Sequence, residues 1–263
     1  MSQHNGDVPD VSSRVSPWFL LLVAVAVGGG VLAALGTPEL ATGPSVVLTS
    51  GIVLLVLGGW AVSLCLHEFG HAAVAYRGGD RTVREKGYLT LDIRRYTDVG
   101  LSFVLPVVFL LLGGIPLPGG AVWINHGLIR SRAMRSLVSL AGPLTNLVLG
   151  ALLSVAVVLV PMPLGLAVGL MTLAFFQVLA FVLNILPIPG LDGFGVLEPF
   201  LSPPARQLAA RVRPWAPIVL FLLIIGLPGV AQLFFDLGYA VFTLVGGDPR
   251  YASVGRAVLM FWR

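Results

Sequence analysis

The 263-residue chain is 57% hydrophobic and only 11% charged, with 16 Lys and Arg against 12 Asp and Glu, a formal charge of +4. An average soluble protein carries about 25% charged residues, so a water-soluble domain of this size would lack the polar surface to cover itself. With a mean hydropathy of +0.95, the chain belongs in the lipid bilayer. The basic excess implies no nucleic-acid partner, because the arginines sit in loops between apolar runs, where membrane topology accounts for them. Cys65 is the single cysteine, so an intramolecular disulfide is excluded.

In chain order, residues 1–16 are polar, with one Arg, and read as a cytoplasmic N-terminal tail. The run 19–35 reads as an uncleaved anchor, because its one A-x-A pattern, Ala24 to Ala26, lies mid-run. About 20 apolar residues cross the hydrocarbon core. Further candidate spans are 46–66, continuing through two histidines to 76, then 137–160 and 164–186. The apolar region 214–245 is interrupted at Gly226-Leu227-Pro228-Gly229.

Segment 77–98 carries six basic residues, and segments 118–135 and 187–213 carry three each. These loops are therefore expected in the cytoplasm, with the basic 248–263 as a cytoplasmic C-terminal tail. Residues 101–115 then have both flanks on one side, which favours a re-entrant element bent at Gly113-Gly114 over a crossing. The same parity splits 214–245 into two short spans. The stretches 82–93 and 120–125 are rich in β-formers and predict a small β-hairpin or sheet at the cytoplasmic face. The expected fold is an all-α polytopic membrane protein with about six transmembrane helices. Residues 17–247 form a single domain, with its core at 45–200.

Against that background, SLCLHEFGHAAVAYRGGD (63–80) places two histidines and a glutamate inside an apolar run. An ionisable group at a helix centre in a bilayer costs about 2.5–3.5 kcal/mol on insertion scales, so these residues need a task. On a helix, His67 and His71 share a face and can direct both imidazoles at one metal ion. Glu68 lies one residue on and can reach a water held by that metal. This is the H-E-x-x-H zinc pattern of two ligands and a general base.

Catalytic zinc takes a third protein ligand. His4 and His126 lie in polar segments without helical partners and read as solvated surface histidines. Asp192, in NILPIPGLDG (184–193), follows Pro187, Pro189 and Gly190, which break the helix at the end of the 164–186 span. Non-helical backbone at membrane depth is tolerated where it is buried in protein or lines a wet cavity. The topology puts Asp192 on the same side as His71. The alternative for Asp192 is an N-cap of a short following helix.

HEFGH (67–71), AGPLTN (141–146) and NILPIPGLDG (184–193), in that order, resemble the motifs of the site-2 protease family of intramembrane zinc metalloproteases. The resemblance implies Zn2+ bound by His67, His71 and Asp192, with Glu68 as catalytic base. It also implies that Asn146 and Asn184 bind the substrate backbone or developing oxyanion; both can equally be amides bonding between helices. It implies regulated proteolysis of single-span membrane-protein substrates; the basic loops put the site toward the cytoplasmic face, and the bias toward Arg, Ala, Gly, Val and Pro points to a bacterial plasma membrane. No stretch has room for the PDZ or CBS domains that many relatives carry. A zinc-dependent peptidase on juxtamembrane or lipid-modified substrates is the alternative within enzymes. The alternative outside enzymes is a zinc-binding transporter or an inactive scaffold; a transporter would repeat its polar residues across the membrane depth, and no such repeat is visible.

Overall fold

The computed structural model describes residues 15–38, 45–96 and 122–260. Helix α1, Pro17–Leu35, starts where the Ser16 hydroxyl accepts from Trp18 N–H and Pro17 takes the first helical position. Helix α2, Val46–Gly78, is capped by Ser45, whose hydroxyl accepts from Leu48 N–H, and is closed by Gly79 at φ +123°. The rise from Val46 to His67 is about 32 Å. That is close to the roughly 30 Å hydrocarbon thickness, so the H-E-x-x-H turn comes about one hydrocarbon thickness after the start of α2. Helix α3 is a single turn, Thr82–Glu85.

Helix α4, Arg132–Leu159, contains Pro143 and buries Val138, Gly142, Asn146, Gly150 and Ser154. These five are spaced by four residues, so one stripe of the helix faces its neighbours. Helix α5, Leu164–Asn184, is the most enclosed of the four long helices and α1 the least. The short helices α6, Asp192–Leu197, and α7, Pro203–Val212, follow. Helices α8, Ala216–Gly226, α9, Pro228–Leu244, and α10, Pro249–Leu259, complete the described chain.

Lipid tails are as apolar as leucine, so these helices associate by close packing rather than by hydrophobic burial. Backbones approach where side chains are smallest. A Cβ added to Gly29 of α1 or Gly51 of α2 would collide with the main chain of the facing helix. The main core gathers Phe175, Phe176, Leu179 and Leu183 of α5 with Ile52, Val56 and Trp60 of α2 and Phe242 of α9. Helix α5 is thus the post around which α2, α4, α9 and α10 are arranged.

The all-α membrane architecture matches the sequence-based expectation, but two of its details do not. Among the described residues, four helices are long and apolar enough to cross a membrane, or five if α7 and α8, bent by 58°, count as one span. Six crossings are therefore not supported. Leu227 alone separates α8 from α9, and the 11 residues of α8 rise only about 16 Å. The expected β-hairpin is also absent: every regular element among the described residues is helical. In 82–93 the Asp80 carboxylate accepts from Thr82 N–H at 3.0 Å and starts a turn, and Gly87 at φ +75° redirects the chain. Residues 122–125 form no regular element and pair with no strand. The re-entrant reading of 101–115 lies outside the described residues.

Within 248–263, α10 packs on α5 with Ala252, Gly255, Val258 and Leu259 buried. Arg256 stacks over Phe175 and Phe235 and donates to Tyr239 Oη at 3.1 Å.

Candidate metal centre

The site lies where the C-terminal part of α2, the first turns of α4 and the start of α6 meet. His67, Glu68 and His71 are all buried, at 7%, 3% and 6% exposure. The His71 Nδ1–H donates to the Val138 carbonyl at 2.7 Å. A carbonyl only accepts, so the neutral ring presents its lone pair at Nε2. His67 Nδ1 lies 2.8 Å from Asn146 Oδ1 and donates to it, which leaves His67 Nε2 in the same state. Val138 and Asn146 belong to the buried stripe of α4, so this helix fixes both rings of α2.

Asp192 arrives from the other side. The Ile185–Leu191 backbone, turning through Gly190 at φ +103°, breaks away from α5 and starts α6 at Asp192. Asp192 Oδ2 lies 3.2 Å from His67 Nε2 and 3.4 Å from His71 Nε2, and the two Nε2 atoms are 3.1 Å apart.

Three acceptor atoms converging within 3.4 Å repel one another unless a cation lies among them. Zinc bonds of about 2.0–2.2 Å to nitrogen and oxygen give tetrahedral edges of about 3.3–3.5 Å, close to the three separations. His67, His71 and Asp192 are the one such group among the described residues. Room for the ion is kept by Gly142 of α4. A Cβ there would collide with the Nε2 atoms of both histidines.

Glu68 is not one of the three converging residues. Its Oε2 accepts from the Val122 backbone N–H at 3.1 Å, so Val122 lies against the carboxylate. Asn146 is 4% and Asn184 5% exposed; Asn146 Oδ1 serves His67, and Asn184 closes α5 just before the broken segment. His126 is exposed, in a short 3-10 turn away from the triangle. Three contributors were not expected from sequence: Gly142, the Val138 carbonyl and the Val122 amide. The four-residue spacing Val138–Gly142–Asn146 was a readable signal for the first two. Nothing local marks the third.

Two buried imidazoles and a half-buried carboxylate closing on one point among apolar helices have the make-up of a membrane metal site, and a buried glutamate beside them that of a metallohydrolase. Comparison with known proteins agrees. The profile of peptidase family M50 matches residues 54–168. A Mycobacterium tuberculosis protein provisionally named zinc metalloprotease Rip2 is 44% identical over 95% of both chains. The Mycolicibacterium smegmatis protein of the same name is 43% identical at the same coverage. Bacillus subtilis YwhC, also provisionally named a zinc metalloprotease, is 30% identical over 62% of this chain and 77% of its own. No solved structure matches significantly. The chain belongs to peptidase family M50, the site-2 protease family of membrane zinc metalloproteases.

Proposed function

We propose that the protein is an intramembrane zinc endopeptidase that hydrolyses peptide bonds in or near the transmembrane segments of single-span membrane-protein substrates. The observation that carries this reading is the convergence of His67 Nε2, His71 Nε2 and Asp192 Oδ2 at the margin of a bilayer-spanning helix. These three residues hold the zinc. Bound there, zinc supplies a Lewis acid for the scissile carbonyl and a water with pKa near 7.

Glu68 is the general base. It lies about 100° around the helix from His67, off the ligand face, and its burial keeps competing water away. The Val122 amide engages Oε2, which leaves Oε1 to take the proton of the attacking water and return it to the leaving amine. Asn146 Oδ1 orients His67, while Asn146 Nδ2 and the Asn184 amide are donors for the substrate backbone. A helical substrate hides its peptide bonds in its own hydrogen bonds, so it must be unwound locally, and amide donors at that depth compensate the freed carbonyls. The site faces the cytoplasm of a bacterial plasma membrane. The six basic residues between Arg77 and Arg95, directly after α2, support that orientation.

The test is cleavage of a single-span substrate in proteoliposomes by wild type and Glu68→Gln. Cleavage is expected to vanish in the variant while zinc stays at one per chain, with the wild-type product ending in or next to the substrate's apolar span. An active Glu68→Gln, or a cut far out in a soluble domain, would overturn the proposal.

A further inference from the structure

We propose that Asp80 is a positioning residue for the reaction: through the segment 122–125 it holds the Val122 amide against the carboxylate of Glu68. The proposal rests on the assignment of Glu68 as the base.

Asp80 ends the stretch that carries the metal ligands, two residues beyond α2, and is fully buried. Its own N–H bonds the Ala75 carbonyl at 3.0 Å, so the residue is fixed to the helix end. The two carboxylate oxygens have separate partners. Oδ1 accepts from Thr82 N–H at 3.0 Å and Thr82 Oγ1–H at 2.7 Å, within its own turn. Oδ2 accepts from Asn125 N–H at 2.7 Å, 45 residues along the chain. All these donors are neutral. Burying a carboxylate is costly unless it is paired and hydrogen-bonded, and the local turn uses only one of its oxygens. The long-range bond uses the other.

That bond anchors one end of a four-residue strap whose opposite end, Val122 N–H, donates to Glu68 Oε2 at 3.1 Å. Between them Lys86 Nζ donates to the Trp123 carbonyl at 3.1 Å, but Lys86 is exposed and holds the strap loosely. The Arg130 N–H to Gly78 carbonyl bond ties the chain five residues beyond Asn125 and does not set the strap's register. Asp80 and Glu68 thus clamp the strap from both ends. Without Oδ2, the Val122 amide drifts and the base loses the donor that fixes its rotamer. A misplacement near 1 Å costs about 100-fold in a catalytic step.

The test compares Asp80→Ala, Asp80→Asn and Thr82→Val with wild type and Glu68→Gln in proteoliposomes. Cleavage kinetics, zinc content and hydrogen exchange at the Val122 and Asn125 amides are the readouts. Asp80→Ala should lower kcat by about 10–100-fold, with KM within about threefold, zinc retained and both amides exchanging faster. Asp80→Asn keeps an oxygen for the Asn125 amide and should recover most of the rate. Thr82→Val removes the hydroxyl bond to Oδ1, keeps the backbone N–H bond to it and leaves Oδ2 untouched, and should stay within about twofold of wild type. Wild-type kcat in Asp80→Ala, or equal losses in Thr82→Val and Asp80→Ala, would overturn the proposal. An active Glu68→Gln with faster exchange in Asp80→Ala places the failure in the base assignment. An inactive Glu68→Gln with unperturbed Asp80→Ala places it in the clamp.

Discussion

Replacing Gly142 by alanine should empty the metal site, although alanine is the best helix former and the helix itself would gain. The added methyl carbon would stand 2.5 Å from His67 Nε2 and 2.7 Å from His67 Cδ2, and closer still to His71 Nε2. Carbon contacts relax to about 3.5–4.0 Å, so roughly 1 Å of displacement is required. The rings cannot supply it alone, because their Nδ1 atoms are held at 2.8 and 2.7 Å by Asn146 and Val138. Moving α4 away instead carries both of those partners with it. Zinc sites tolerate bond-length errors of about 0.2 Å. The expected loss of zinc affinity is therefore at least about 100-fold, the upper end of what removing a ligand's outer hydrogen-bond partner costs. The assay is zinc per chain in purified protein equilibrated against graded chelator concentrations. A Gly142→Ala protein that binds zinc as wild type does would refute the reasoning, since the ion could not then lie between the two Nε2 atoms.

Asn146→Leu keeps the branching at Cγ but removes the acceptor for His67 Nδ1–H, and should weaken zinc binding by about 10–100-fold, read in the same chelator titration. Stripping zinc from wild type should lower Tm measurably, because the ion binds the folded chain and not the unfolded one; an unchanged Tm would contradict the three-ligand site. Gln177 is fully buried in α5 with neither amide atom hydrogen-bonded. Gln177→Leu removes that unmet demand and should raise unfolding stability by about 1–3 kcal/mol, as measured by thermal or denaturant unfolding in micelles.

How far sequence could anticipate this arrangement depended on whether the signal was periodic or tertiary. His67, Glu68 and His71 were legible because helical period alone puts the two imidazoles on one face, and the apolar run around them made the charges conspicuous. Asp192 was legible because Pro187, Pro189 and Gly190 announced a broken helix at the matching end of a span. The Val122 contact to Glu68 and the Asn125 contact to Asp80 join residues 54 and 45 apart, and no local pattern encodes such pairings. The β expectation for 82–93 failed for a related reason. Alternating Val, Tyr, Leu and Ile make a strand only when a partner strand exists, and here the Asp80 carboxylate draws the chain into a turn first. The count of crossings failed because the apolar run 214–245 is broken at Leu227 into helices of 11 and 17 residues, each shorter than a full span, and composition does not reveal helix length.

The most direct measurement of the central claim is zinc X-ray absorption on the purified wild-type protein and Asp192→Ala. The account predicts one zinc per chain with two imidazole nitrogens and a carboxylate oxygen at about 2.0–2.2 Å, and a lost carboxylate contribution with weakened binding in the variant. A zinc spectrum unchanged in Asp192→Ala, or one dominated by sulfur from Cys65, would contradict it.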